Sequence, residues 1–268
     1  MLIIGEKINA TLKSVKRAVE ERDTKFLQNL AKSQSEMGAN YIDVNVSTDK
    51  GAEFDKESME WIVEKVQEVV DIPLSIDSPD PKIIEAGLRK AKRESMINSV
   101  TAEPERLESI LPLAKEFDSE VIALAIIGSI SSEAEGRLKA CEKIAESAQK
   151  HGIALGKLYF DPLALSVATD TSQGIVTLET LKRIKAEFPQ AKTTIGLSNI
   201  SFGLPERKLI NQVFMILTMG CGMDAAIIDS TDKRMMAIVK TATTLLGEDN
   251  FCGEYIQAYR KGKFTFEK

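Results

Sequence analysis

Short β-branched apolar runs alternate along this chain with longer stretches whose apolar residues recur every three to four positions. The short runs predict strands at 2–8 (LIIGEKI), 41–46 (YIDVNV), 74–77 (LSID), 95–99 (SMINS), 121–127 (VIALAII), 157–161 (KLYFD), 193–198 (TTIGLS) and 224–229 (DAAIID). Their starts are spaced by roughly 32 residues, the length of one βα unit. Between them, Met59, Ile62, Val63, Val66, Val69 and Val70 form one helical stripe, and Leu138, Cys141, Ile144, Ala145 and Ala148 another. Helix ends are legible too. Asp80 before Pro81 reads as an N-cap and first helical residue. Ser132 with Glu135 fits a capping box, and Gly152 fits the position just past a helix end.

Eight such units predict an α/β fold of the (β/α)8 TIM-barrel type. A doubly wound open sheet is the rival. The chain has no GxGxxG after its first strand and no GxxxxGK[ST], which weakens the nucleotide-binding versions of that rival. No low-complexity or Pro/Gly/Ser-rich linker divides the sequence. Residues 1–268 read as a single domain, with 248–268 as a C-terminal extension made of an extra helix and an end segment.

Composition narrows the partners. The 35 basic and 40 acidic residues leave a net charge of −5, with no basic run, so nucleic acid is not an expected ligand. The longest uninterrupted apolar run, Val121 to Ile127, is far short of a membrane span. The N-terminus lacks the pattern of a signal peptide, and the expected compartment is the cytoplasm. Cys141, Cys221 and Cys252 match no zinc or disulfide spacing and read as small buried apolar residues. Met215 to Met219 and Met235–Met236 read as core or as a dimer face. A single histidine argues against His-rich metal sites, and no metal is expected.

Barrel chemistry sits at the C-terminal ends of strands. Here those ends carry Glu6 with Asn9, Asp43 with Asn45, Asp77, Asn98, Asp161, Asn199 and Asp229, while strand five runs into Gly128 and Ser129. Any one of these residues could be only a turn or cap residue; their concentration on one face predicts a polar pocket. The common barrel glycosidases need carboxylates where Asn98 and Asn199 stand. A Schiff-base lysine is missing from the same face, because Lys157 lies at the start of its strand. Mixed carboxylates and amides suit a flat heterocycle with adjacent donors and acceptors; pterins, purines and pyrimidines all qualify.

At these residues the chain resembles the methyltetrahydrofolate:corrinoid-protein methyltransferases. The motifs are GEKIN (5–9), DVNV (43–46), SID (75–77), MINS (96–99), DP (161–162), GLSN (196–199) and R-x-L-I-N (207–211), in order along nearly the whole chain. That family shares a pterin-binding barrel with dihydropteroate synthase and with the folate domain of cobalamin-dependent methionine synthase. The resemblance implies that Asp77, Asn98 and Asp161 hydrogen-bond the pterin ring. It implies that Gly196 and Ser198 shape the loop beside it, that Asn199 approaches N5, and that Arg207 lies near the rim. Asn45, Asp43 and Glu6 would belong to the pocket floor. Phe202 stands where relatives often carry a polar residue. Leu197, Ser198 and Asn199 replace the basic motif usual in dihydropteroate synthases.

The implied reaction moves a methyl group between N5 of tetrahydrofolate or 5-methyltetrahydrofolate and the cobalt of a corrinoid (cobalamin). His151 has no aspartate two residues before it, unlike the cobalt-ligating histidine of corrinoid carriers. The corrinoid is therefore expected on a separate protein, with Asn199 as the catalytic residue and a homodimer as the assembly. Neither a histidine nor a free carboxylate stands out in the sequence as a proton donor to N5. Two alternatives remain at this level: another pterin enzyme of the dihydropteroate synthase type, and a non-catalytic folate-binding protein.

Overall fold

The computed structural model describes residues 1–265. In chain order its elements are β1 (Leu2–Asn9), α1 (Lys13–Glu20), α2 (Thr24–Met37), β2 (Tyr41–Asn45), α3 (Ala52–Gln67), β3 (Leu74–Asp77) and α4 (Pro81–Lys90). There follow β4 (Met96–Val100), α5 (Pro104–Glu116), β5 (Glu120–Leu124), α6 (Ala134–Lys150), β6 (Leu158–Asp161), α7 (Gln173–Glu187) and β7 (Lys192–Thr193). The chain ends in α8 (Arg207–Gly220), β8 (Ala225–Ile228), α9 (Lys233–Leu245) and α10 (Gly253–Arg260). All strand pairs are parallel, in the order β7-β6-β5-β4-β3-β2-β1-β8. This is the expected single-domain barrel, ringed by helices.

Alternation along the strands separates two environments. Ile4, Met96, Ile122, Tyr159 and Ala225 cluster inside the barrel. Their neighbours in sequence, such as Ile97, Val121, Leu158 and Phe160, join the larger layer between strands and helices. Glu120 closes the floor: it accepts hydrogen bonds from Tyr41 Oη at 2.9 Å, Tyr159 Oη at 3.2 Å and Lys192 Nζ at 2.7 Å. The polar residues of the other strand ends are left to line the opposite mouth.

Several local expectations hold. Asp80 caps α4 by accepting from Lys82 N at 2.9 Å, with Pro81 in the first turn. Gly152 ends α6 at φ +70°, donating to Gln149 O, while Ile153 N donates to Ala148 O. The methionines of both stripes, Met215, Met219, Met235 and Met236, are core residues.

Others need correction. Ser132 and Glu135 form no capping box: α6 starts at Ala134 behind Glu133, and it is Ser131 Oγ that accepts from Glu133 N. Strand five stops at Leu124, because Gly128 and Ser129 belong to a tight turn bridged between Ile127 and Ser129. Strand seven is only Lys192–Thr193; from Leu197 to Ser201 the backbone winds into a 3-10 helix. Cys221 is half-buried and Cys252 exposed, so only Cys141 is the buried apolar cysteine expected.

The short β7 leaves β7 and β8 without a ladder. Two substitutes close the seam. Ile227 N donates to Ile195 O at 2.9 Å beside the single bridge Gly196–Ile227. Below it, Asp224 Oδ2 accepts from Thr193 N at 2.8 Å and from Lys185 Nζ at 2.8 Å. Asp224→Ala orphans that backbone N–H and is expected to cost about 1–3 kcal/mol of stability, read from the urea-unfolding midpoint. An unchanged midpoint would show that the seam does not depend on this side chain.

Candidate active site

The mouth begins with an irregularity in β1. Its register against β2 shifts between Gly5 and Ile8. Ile4 belongs to the interior cluster and Ile8 to the outer layer, so the alternation changes phase across Glu6 and Lys7. Lys7 N donates to Oε1 of the fully buried Gln34 at 2.9 Å. Gly5 makes room for this, since a Cβ there would stand 2.5 Å from the same oxygen. Glu6 and Lys7 both consequently line a cavity of about 440 Å³, together with Asn9, Ser198, Arg207 and Asp229.

Beside Glu6 a polar ring runs along the strand ends. Asp43 is buried and accepts from Ser75 Oγ at 2.7 Å and Asn98 Nδ2 at 3.1 Å. Burial, with Asp77 adding like-charge repulsion, raises its pKa well above the usual carboxylate range. Asp77 is raised as well, chiefly by burial, although Asn45 Nδ2 donates to it at 3.0 Å and Arg106 lies near. Asn45 uses both ends of its amide on protein, because its Oδ1 accepts from Ser47 N at 3.1 Å. It orients Asp77. Asn98 keeps its carbonyl oxygen available.

Asp161 terminates β6. Its Oδ1 accepts from Leu163 N at 2.7 Å and its Oδ2 from Gly196 N at 3.2 Å. Each oxygen retains a lone pair for a ligand. Burial pushes the carboxyl up to about 6, against the pull of those two N–H groups and of Arg137.

Two arginines hold the loops from behind. Fully buried Arg137 donates to the carbonyls of Ser131, Pro162 and Leu163 at 2.7–2.9 Å and to Gln173 Oε1 at 2.5 Å. Arg106 donates to the carbonyls of Ser78, Pro79 and Ser99, tying the loop after Asp77 to the one after Asn98. Sequence reasoning passed over both. The signals were there: Arg137 continues the Cys141–Ile144–Ala148 stripe backwards, and Arg106 is a cation in a helix's first turn, where the macrodipole opposes it.

The rim comes from the 3-10 helix. Asn199 is exposed and does not end a strand as expected; its Nδ2 would lie 3.2 Å from a Cβ at Gly196. Arg207 donates to Ser198 O at 2.7 Å and Ser201 Oγ at 3.1 Å, and its guanidinium stands 5.8 Å from the Phe202 ring. Phe202 itself is 68% exposed. His151 caps α6 far from the mouth, its Nδ1 bonded to Ser147 O.

Glu6 is the outlier. Its carboxylate meets only the Ser198 hydroxyl, at 3.3 and 3.5 Å. Burial, then the charge of Asp229, pushes it up to about 7, while Ser198, Lys7 and Arg207 pull it down. A folded-state value above the unfolded 4.5 means stability falls as pH rises from 4.5 to about 7 and stays low above that. Glu6→Gln removes this cost. At about pH 8 it is expected to be more stable than the parent by up to about 3 kcal/mol, and near pH 4 by nothing. Urea unfolding across pH reads the difference; a margin independent of pH would contradict it.

A family model described as pterin binding enzyme matches residues 5–229. A methylcorrinoid:tetrahydrofolate methyltransferase of Eubacterium limosum is 38% identical over 266 residues, covering 98% of this chain and 97% of that protein. The methionine synthase of Mycobacterium tuberculosis is 29% identical over 251 residues, 86% of this chain but 20% of that protein. Dihydropteroate synthase of Xanthomonas albilineans, solved with 7,8-dihydropteroate, superposes with a TM-score of 0.68 at 17% identity, over 93% of each chain. The Yersinia pestis enzyme does so with a TM-score of 0.66, over 91% of this chain and 93% of that one. Those two show the barrel alone. With its motifs matched over nearly its full length, the chain belongs to the pterin-binding enzymes, in the group of corrinoid- and folate-dependent methyltransferases that its motifs resemble.

Proposed function

We propose that this methyltransferase moves a methyl group between the cobalt of a corrinoid carried by a separate protein and N5 of tetrahydrofolate. The observation that carries the reading is the ring of Asp43, Asp77, Asn98 and Asp161 at the end of an otherwise apolar barrel. A pterin presents ring N–H groups and an oxo group side by side. Asp77 and Asp161 offer acceptors for the former. Asn98, held by Asp43, can serve a mixed edge. Full-length similarity to a protein named for this reaction supports the same assignment.

The roles follow from position. Asp77, Asn98 and Asp161 anchor the ring, and Asn45 orients Asp77. Gly196 steadies Asp161 through its backbone N–H. Ser198 and Arg207 line the pocket, and the exposed Asn199 follows Ser198 on the rim. That leaves N5 facing the open mouth, where a corrinoid can approach it in line. Asn199 is the catalytic residue of this reading, its amide hydrogen-bonding N5 as charge changes there. The chemistry of the cobalt–carbon bond belongs to the second substrate, so the protein's part is placement and exclusion of water.

The corrinoid arrives in trans in this reading, and its docking is transient, because the carrier must also meet another methyl donor or acceptor. A homodimer is part of the proposal. Leu209, Val213, Ile216 and Leu217 give α8 an exposed apolar face that a second copy could cover. The compartment is the cytoplasm; three free cysteines accord with a reducing milieu. Among the described residues no helix is long and apolar enough to cross a membrane.

Asp77→Ala and Asn98→Ala are expected to weaken tetrahydrofolate binding by at least about tenfold each, through lost hydrogen bonds in a buried site. Calorimetry on the folded variants decides; unchanged affinity in both would sink the pterin reading. Asn199→Ala should instead lower methyl transfer more than it weakens binding, by about 10²–10³ in rate. Anaerobic spectroscopy of methylcobalamin with tetrahydrofolate, and of cob(I)alamin with methyltetrahydrofolate, reads transfer in both directions. Folate binding without transfer in either direction would leave only a folate-binding protein.

A further inference from the structure

Methyl transfer to tetrahydrofolate creates a proton problem. N5 of the acceptor carries a hydrogen. As its lone pair forms the new N–C bond, the Co–C bond breaks with its electron pair remaining on cobalt. The N5 proton must then leave. In the reverse direction an unprotonated tertiary amine is a poor leaving group, and the same proton must return.

Six carboxylates stand at the mouth, and five have other work. Asp232 caps α9, accepting from Arg234 N at 2.9 Å and Met235 N at 3.1 Å. Asp43 is enclosed by Ser75 and Asn98. Asp77 is held by Asn45. Asp161 is bound on both oxygens by backbone N–H groups. Asp229 is paired with Lys7 Nζ at 3.0 Å and bonded by Thr231 Oγ1 at 2.5 Å, so it is a weak base. Glu6 alone faces the cavity with a single long contact, to a hydroxyl that can itself relay a proton. That hydroxyl belongs to Ser198, the neighbour in sequence of Asn199. Nor do the adjacent cations pair with Glu6: Lys7 turns to Asp229, and Arg207 to Ser198 O and Ser201 Oγ.

We propose that Glu6 is the proton-exchanging residue of the methyl transfer, taking the N5 proton when tetrahydrofolate is methylated and returning it when methyltetrahydrofolate is demethylated. This rests on the functional reading above. The β1 irregularity serves the role, since the phase change over Glu6 and Lys7 brings both side chains to the cavity. The tuning fits as well. A general base works best with a pKa near the working pH, and Glu6 sits at about 7. Burial sets this value together with Asp229 just after β8, Ser198 on the rim, Lys7 beside it and Arg207 on α8; Asp43 stands on the neighbouring strand β2, and Lys208 and Asp232 line the same cavity.

The test measures kcat/KM for transfer from methylcobalamin to tetrahydrofolate under anaerobic conditions across pH, with folate binding by calorimetry alongside. In this direction Glu6 must be ionised, so the parent rate rises with pH through a midpoint near 7. Glu6→Gln should bind folate as the parent does, lose about 10²-fold or more in rate, and lose the midpoint. Asp229→Asn removes a like charge and should move the midpoint down. Ser198→Ala removes a bond to the ionised form and should move it up; it also tests the idea if Glu6→Gln does not fold. A Glu6→Gln enzyme with the parent's rate and profile, or a midpoint that neither neighbour shifts, overturns this inference alone. Parent protein that binds folate yet transfers no methyl group overturns the functional reading, and this inference with it.

Discussion

A carboxylate taken out of water must be hydrogen-bonded, paired or protonated, and the mouth of this barrel holds four: Glu6, Asp43, Asp77 and Asp161. Much of the surrounding architecture answers that constraint. Ser75, Asn45 and Asn98 are small polar donors on neighbouring strands, each aimed at an acid. Backbone N–H groups of Leu163 and Gly196 converge on Asp161. Neither Arg137 nor Arg106 binds a carboxylate oxygen. Arg137 binds carbonyls of the loop that carries Leu163 N, and Arg106 binds carbonyls just beyond Asp77 and Asn98, so their charge acts at a distance while their geometry acts directly. A direct Arg–carboxylate pair would have used up the acceptors that a donor-rich ring needs.

The same constraint explains why four similar groups need not behave alike. Two carboxyls in one environment would share a proton indiscriminately. Here each has a different escort. Asp161 has fixed N–H donors and rests at about 6, whereas Glu6 has one distant hydroxyl and an acid neighbour and rests at about 7. Asp43 has no access to the cavity. Separation of roles among chemically equal side chains thus comes from placement, which a strand irregularity and a 3-10 helix provide.

How much of this the chain displayed beforehand depends on the range of the interaction involved. Strand existence, the spacing of units and the Asp80–Pro81 start are local properties, and they survived. The expectation for 193–198 failed because Thr193 is the last residue with a ladder partner; beyond it a backbone bond to β8 and the winding toward Ser201 take over. Ser132 failed as a cap because its neighbour Ser131 took the turn. Candidate ring residues Asp77, Asn98 and Asp161 were legible because the barrel brings the C-terminal ends of its strands to one face, with Asp77 and Asp161 as last residues and Asn98 two short of the end of β4. Glu6 was named but its character was not. Its environment comes from Ser198 and Asp229, on the loop after β7 and at the end of β8, and from a phase change beside which Gln34, packed on Gly5, binds Lys7 N.

The weakly closed β7–β8 seam stands next to the loop to which the proposed function assigns Ser198 and Asn199. Elsewhere every neighbouring strand pair has a ladder, interrupted only by register shifts in β1 and β4, and Asp43, Asp77 and Asp161 are held on those strands. Between β7 and β8, one backbone bridge and Asp224 carry the closure, and the rim residues Ser198 and Asn199 hang above it on a 3-10 helix. An anchoring half needs fixed acceptors, because a misplaced buried donor costs more than a good one gains. If, as proposed, the other half admits both folate and a protein-borne corrinoid, it needs a rim able to adjust without disturbing those acceptors. Asp161 links the halves: its carboxylate ends a rigid strand while its Oδ2 holds Gly196 at the base of the rim. Under the proposed function, a ring N–H donated to Asp161 would bear on the loop that carries Asn199, so that occupation of the deep pocket would be coupled to the geometry at N5 through a single hydrogen bond.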